Sequence, residues 1–272
     1  MADTPIDATP APPRDAASVV LVRDGAAGIE VFLQRRVTQM AFAGGMTVFP
    51  GGGVDARDFD ADLAWTGPDV GWWAAQFATT TQRARALVCA AVRETFEECG
   101  VLLASREDGS FPAPTSLRAD RDRLVAKTIS FADVVRAREL TLRADLLRPL
   151  AHWITPKNEK RRYDTRFFLA AVPPGQVPDA HTSEADVARW SGAGEALRAW
   201  SQGAVFLLPP TWAQLTEVAR FGTVDELLAA PHPIEPIEPA GSGESGAAGL
   251  SFAHADEYYA GLGANQGLGT TR

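Results

Sequence analysis

Between Thr81 and Cys99 the chain runs without proline or glycine, and Leu87, Val88, Ala91, Val92, Thr95, Phe96 and Cys99 recur at the spacing of one helix face. Gly100 follows where a left-handed cap would end the helix. A long, half-buried helix is therefore the fixed point of any fold this chain adopts. The same helix carries Glu94, Glu97 and Glu98 at i, i+3 and i+4, so the three carboxylates share about a third of the circumference, turned away from the apolar stripe. Like charges that close resist ionising together unless a cation neutralises them, and Arg93, four residues before Glu97, is the local helper. Hard oxygen ligands suit Mg2+ or Mn2+ rather than zinc. A solvated acidic face is the plainer alternative that the helix alone leaves open.

Upstream, the segment from Ala43 to Gly53 holds five glycines and cannot be helical; it brings bare backbone close to something. Ahead of it, Ala17 to Val22 and Ile29 to Leu33 read as strands, with Asp24-Gly25 as a hairpin turn. Downstream, a polar segment from Arg106 to Arg123 leads into helical patterns up to about Arg143. Strands are expected at 151–154, 163–172 and 187–190, and a helix at 194–200. A last helix begins at Pro209-Pro210-Thr211, with Thr211 and Gln214 at capping-box spacing. Residues 1–15 read as a loose arm, 16–230 as one domain, and the Pro/Gly-rich stretch 231–272 as a mobile tail in which Tyr258-Tyr259 is the one candidate for a docked helix.

Several function classes drop out on composition. A net charge of −8 provides no basic footprint for a phosphate backbone, so nucleic acid is not an expected partner. Cys89 and Cys99 lie on one helix and cannot pair, and the four histidines are scattered without ligand spacing, which excludes a disulfide framework and a cysteine-rich zinc site. No stretch approaches a membrane span and no secretory signal is visible, so a cytoplasmic protein without membrane association is the default. A homodimer is left open.

The run Arg93-Glu94-Thr95-Phe96-Glu97-Glu98-Cys99-Gly100-Val101 resembles the second half of the Nudix box, Arg-Glu-U-x-Glu-Glu-x-Gly-U with U a bulky apolar residue, and Phe49-Pro50-Gly51-Gly52 resembles the strand end and turn that open it. The box is split: Asp58 takes the acidic position after Gly52, and residues 59–92 intervene before Arg93. The insertion proper, about 59–84, contains Trp65, Trp72, Trp73 and Phe77 and is expected to pack as a lobe. A split box resembles one subgroup of that family, which includes a mammalian peroxisomal coenzyme A diphosphatase. Trp153 to Pro156, Arg161 to Phe168 and the Leu208 to Thr211 helix start resemble that subgroup as well.

The resemblance implies an α/β/α sandwich with a mixed sheet, an insertion inside the box and extra C-terminal helices. It implies Mg2+ or Mn2+ held by Glu97 and Glu98, with Glu94 as further ligand or base, the Gly51 carbonyl completing the coordination, and Glu184 as an acid from a later loop. Arg93 and Gly100 support the site. Ahead of the box, Leu33, Arg36, Gly45 and Phe49 fit a pattern of coenzyme A-cleaving relatives, while Val37 and Ala41 depart from it. Arg36, Gly45, Phe49 and Arg162 are the expected substrate contacts. For Arg162, Asp164 and Arg166, on one strand face, an Arg-Asp pair on the sheet is the equal alternative.

The expected function is hydrolysis of a nucleoside diphosphate linked to another moiety: coenzyme A or its acyl derivatives, giving 3′,5′-ADP and the 4′-phosphopantetheine part. ADP-ribose or NADH-type substrates are the rivals within the family. A nucleotide-sensing regulator that binds without cutting is the rival outside enzymes.

Overall fold

In the computed structural model, which describes residues 10–38, 43–59, 63–182, 185–241 and 249–262, the first strand, β1 (Arg14–Gly25), is buried on both faces. Val19 and Leu21 point into one core and Val20 and Val22 into another, which is why the strand reads as an unbroken apolar run rather than an alternation. The chain continues through β2 (Gly28–Arg36), β3 (Thr47–Val48), β4 (Gly51–Gly53), α1 (Ala56–Phe59), β5 (Trp65–Thr66), α2 (Val70–Gln76) and α3 (Thr81–Cys99). Next come β6 (Ala104–Ser105), α4 (Arg118–Val125), α5 (Phe131–Ala137), β7 (Thr141–Arg143), β8 (Leu147–Ile154), β9 (Tyr163–Ala171) and β10 (Ala185–Gly192). The rest is α6 (Ala193–Ser201), α7 (Pro209–Val218), α8 (Val224–Ala229), β11 (Pro236–Ile237), β12 (Ala240–Gly241), β13 (Leu250–Ser251) and α9 (Ala255–Gly261).

The main sheet has the order β10-β2-β1-β9-β8-β11, with β3 added to β2 and β4 to β1. β1 runs parallel to β9 and β8 to β11, and the other pairs are antiparallel. On one face lies α3, whose Leu87, Val88, Ala91 and Val92 share a core with Ala17, Phe168 and Ala170. On the other, Ala196 and Trp200 of α6, Trp212 and Leu215 of α7 and Leu227 of α8 pack over Val31, Leu33 and Leu169. This is the expected α/β/α sandwich with a mixed sheet.

The long helix starts at Thr81, with the Thr80 hydroxyl capping Arg83 N–H, and ends at Gly100 in the left-handed conformation (φ 74°), as its sequence predicts. The insertion packs by its aromatic side chains: Trp73 stacks on Phe77 at 5.7 Å, and both meet Phe168 of the central sheet. Trp65 joins a small sheet, β5-β7-β6, beside α3.

Local expectations shift where a distant partner competes. The β1–β2 turn is Ala26-Ala27, not Asp24-Gly25, because Gly25 pairs with Gly28 and Asp24 accepts a hydrogen bond from Val224 N–H at 2.9 Å. The Thr211–Gln214 capping box does not form. Helix α7 begins at Pro209 with Leu208 at the cap position, so Thr211 already lies inside it and prolines take its first positions, where a missing N–H costs nothing. Capping boxes occur instead at Ser130–Asp133 and Thr223–Glu226. The helical pattern expected up to Arg143 gives way to β7.

The two expected loose ends need correction. Arg14 and Asp15 belong to β1, where Arg14 N–H donates to Arg162 O at 2.9 Å. In the stretch assigned to a tail, β11 pairs with β8 and α9 docks on the second core. Tyr258 stacks on Trp200 at 5.2 Å, meets Trp212 edge-on at 5.5 Å and donates its hydroxyl to Leu207 O at 2.9 Å. No helix among the described residues is long and apolar enough to cross a membrane.

Removing the Tyr258 ring should therefore open a cavity between two tryptophans. Tyr258→Ala is expected to lower unfolding free energy by about 3 kcal/mol and to alter tryptophan emission; urea melts matching the wild type would refute the docking.

Candidate active site

Helix α3 presents Glu94 and Glu98 not to bulk solvent but to the glycine turn of β4. Glu98 is buried and accepts a hydrogen bond from Gly51 N–H at 2.9 Å. The Glu94 carboxylate lies against Gly52, where a Cβ would come within 2.6 Å of its Oε1. At Gly51 a Cβ would meet Ala17 O at 2.5 Å. These two glycines are needed for close approach: the turn is clamped between β1 and the acidic face, and any side chain there would push them apart. The solvated acidic face that the helix alone left open does not form: Glu98 is buried under the β4 turn, Glu94 lies against it, and Glu97 is held by Arg93.

Arg93 sits at the centre of this arrangement. Its guanidinium reaches Asp58 at 2.9 Å, Glu94 at 2.6 Å, Glu97 at 3.1 Å and Gly53 O at 2.8 Å. The residue is 7% exposed. Burial opposes its charge, yet Glu94, Asp58 and Glu97 together raise its pKa. Asp58, on the far side of the insertion in sequence, closes the constellation from α1, and its neighbour Asp55 N–H donates back to it at 2.8 Å.

One guanidinium cannot satisfy three carboxylates. Burial, resisted by Arg93 and reinforced by Glu97, lifts the Glu94 carboxyl to about 7, and burial raises Glu97 as well. Among the described residues no three His, Cys, Asp or Glu side chains converge as a preformed metal cage; Glu94 and Glu97 turn to Arg93 and Glu98 to Gly51. The donor set nevertheless fits a hard divalent cation: carboxylate oxygens and peptide oxygens, with more negative charge than the local arginine balances.

Other expected site residues fall in different places. Arg36 ends β2 and is held to the following loop, donating its N–H to Met46 O at 3.0 Å and accepting from Gly45 N–H at 2.9 Å. Gly45 has φ 76° and open space where a side chain would project. The structure so brings Arg36 and Gly45 together, on the hairpin that leads into Gly51. Phe49 is a correction: its ring is 3% exposed and packs edge-on against Phe167 in the core on the opposite face of the sheet from α3.

Arg162 is a second correction. It is 7% exposed and committed to Thr155 O, Ala11 O and Glu238, so it clasps both ends of the chain to the sheet. Its strand neighbours form the Arg-Asp pairing weighed as the alternative. Against the pull of burial, His152, Arg166 and Arg83 hold the Asp164 carboxyl well below the usual carboxylate range. Glu184 and Ala41 lie outside the described residues. The sequence reading missed the weight of Asp58 and of Arg83, which ties Asp15 to Asp164; the only signal for Asp58 was its place in the box.

The Glu94 carboxyl has a consequence for stability. Its folded value of about 7 stands above the ordinary 4.5, so the folded state holds the extra proton between those values and loses that advantage as pH rises through about 7. In metal-free protein, Glu94→Gln should gain melting temperature relative to wild type as pH goes from 4.5 to 7. A constant difference across that range would show that Glu94 is not the crowded group.

The match to a family model described as the NUDT19 Nudix domain covers residues 74–221. The human acyl-coenzyme A diphosphatase NUDT19 is 29% identical, the match covering 74% of this chain and 64% of the human protein, so this chain spans less than two thirds of that relative. Putative nudix hydrolase 7 of Caenorhabditis elegans is 30% identical over 82% of this chain and 69% of its own length. A crystal structure of a NUDIX hydrolase from Alicyclobacillus acidocaldarius superposes with a TM-score of 0.68 at 29% identity, covering 82% of this chain and 98% of that one. With a family model matching more than half of its length, and with Glu94 and Glu98 against the Gly51-Gly52 turn and Glu97 joined to Glu94 through Arg93, the chain belongs to the Nudix hydrolase family.

Proposed function

We propose that the protein is a divalent-metal-dependent diphosphatase that cleaves coenzyme A or acyl-coenzyme A, releasing 3′,5′-ADP and the (acyl-)4′-phosphopantetheine part. The observation that carries the reading is the concentration of oxygen donors on one face of α3, where Arg93 joins Glu94 and Glu97 and the side-chain-free Gly51-Gly52 turn meets Glu98 and Glu94. The similarity to acyl-coenzyme A diphosphatase NUDT19 supports the substrate class. The Arg36–Gly45 hairpin beside the turn supports it as well.

Glu97 and Glu98 would hold Mg2+ or Mn2+, with the Gly51 carbonyl oxygen as a further donor. The ion supplies charge neutralisation of the diphosphate oxygens and acidification of bound water. Arg93 keeps Glu94 and Glu97 aimed at one point while Asp58 anchors its other edge, so the carboxylates are oriented before substrate arrives. Glu94, with an affinity for protons near neutrality, is suited to take a proton at its carboxylate oxygen from the attacking water. Glu184 retains its proposed role as an acid from a later loop. Arg36 would face the substrate's anionic groups, orienting the scissile linkage.

Incubating the purified chain with coenzyme A, an acyl-coenzyme A, ADP-ribose and NADH, each with and without Mg2+ or Mn2+, tests the reading. Metal-dependent appearance of 3′,5′-ADP from the first two is expected. Preference for ADP-ribose or NADH would transfer the assignment to the rival substrates, and tight nucleotide binding without products under either condition would mark a sensor. Glu98→Gln should cut turnover by orders of magnitude and leave the melting temperature nearly unchanged, because the amide oxygen still accepts from Gly51 N–H. Wild-type turnover in that variant would remove Glu98 from the metal site.

A further inference from the structure

The last turn of α3 carries Glu97 and Glu98, and the carbonyls of a helix's last turn have no following turn to supply their donors. Gly100 N–H returns to Phe96 O at 3.0 Å, and the chain then leaves the helix through the left-handed Gly100. The next donors come from distant parts of the sequence. Arg121 of α4 donates its Nε–H to Glu97 O at 3.0 Å, and Asp179 N–H donates to Cys99 O at 2.9 Å. Helix ends left to themselves fray. Here the backbone beneath the two glutamates is bonded to two other segments of the chain.

Arg121 is 4% exposed, and its other N–H groups reach the loop that follows β9: Nη1 meets both Asp179 oxygens at 2.8 Å and Nη2 meets His181 O at 3.0 Å. Gln176 ties the same loop to the chain beyond α3, accepting from Leu102 N–H at 2.8 Å and donating to Leu102 O at 2.7 Å. Helix α4 is itself fixed, with Leu124 in the core and Asp120 accepting from Arg138 at 2.7 Å. Gly100 completes the fit. A Cβ there would come within 2.8 Å of Arg121 Nη1, so this glycine makes room for the guanidinium as well as for the turn. A buried cation at this end of α3 also meets the negative pole of the helix dipole.

We propose that Arg121 is a positioning residue for the divalent metal: by holding the Glu97 carbonyl and, through Asp179, the Cys99 carbonyl, it keeps the last turn of α3 wound and Glu97 and Glu98 aimed at one ion. Arg93 orients Glu97 from its carboxylate end, and Arg121 holds the same residue from its backbone. The inference rests on the diphosphatase reading for the role of Glu97 and Glu98 as ligands, and deepens it.

Titration of the full chain with Mn2+ in the absence of substrate, read by the electron paramagnetic resonance of the free ion, tests this apart from turnover. The temperature is one at which circular dichroism shows every variant folded. Arg121→Met, which keeps the stem and removes the donors, should weaken Mn2+ binding about tenfold. Arg121→Lys, which returns a cation to the helix end, should recover part of that loss. Gln176→Ala loosens the loop from Leu102 without touching Glu97, and should bind Mn2+ as the wild type does even where its melting temperature falls. Wild-type affinity in Arg121→Met, or an equal loss in Gln176→Ala, would overturn the positioning role. In turnover assays the Arg121→Met defect should appear as a higher Mn2+ concentration for half-maximal rate, with KM for coenzyme A at saturating Mn2+ unmoved; a raised KM under those conditions would also overturn it. Weakened Mn2+ binding in Arg121→Met, in a protein whose wild type cleaves no diphosphate substrate, would keep the positioning role and remove the diphosphatase. Coenzyme A cleavage with Mn2+ affinity unaltered by Arg121→Met would do the reverse.

Discussion

The buried guanidinium of Arg93 is the interaction on which the molecule's chemistry depends. It is surrounded by Asp58, Glu94, Glu97 and the Gly53 carbonyl, and no other cation contacts these carboxylates within the described residues at ion-pair distance. Breaking a buried pair of this kind by removing one partner typically costs about 3–5 kcal/mol, because the remaining charge stays buried. Here one guanidinium faces three carboxylates, and burial with their mutual repulsion raises the proton affinity of Glu94 to about 7.

The split in the box is tolerated because what it separates in sequence is joined in space. Asp58 and Arg93 meet across the insertion, and the intervening residues close on themselves through Trp73, Phe77 and Phe168. The chain between the two halves therefore adds a packed aromatic wedge beside α3 without disturbing either end of the contact.

What was legible in the sequence was what local chemistry decides. Helix α3 and its glycine terminus follow from periodicity and backbone preference alone, and so does the clustering of Glu94, Glu97 and Glu98. What was not legible depends on partners far along the chain. Tyr258 is held by Trp200 and Trp212, and nothing in the glycine- and proline-rich residues before it signals that docking. Arg162 looks like a phosphate contact until Ala11 and Glu238 are seen to occupy it. Phe49 sits next to the turn, yet its ring packs against Phe167 in the other core. The glutamates' burial was hidden for the same reason: helix geometry gives their common face, and only tertiary structure supplies the turn that covers it.

The central pairing of β1 with β9 joins Arg14 to Tyr163 and Val22 to Ala171. During translation at about 5–20 residues per second, β1 waits on the order of ten seconds for its parallel neighbour to be synthesised. The β1–β2 hairpin can form at once, but its inner edge stays open throughout that interval. A nascent chain of this design has a built-in window in which β1 lacks its parallel neighbour, so the central seam of the sandwich cannot close until β9 has been made.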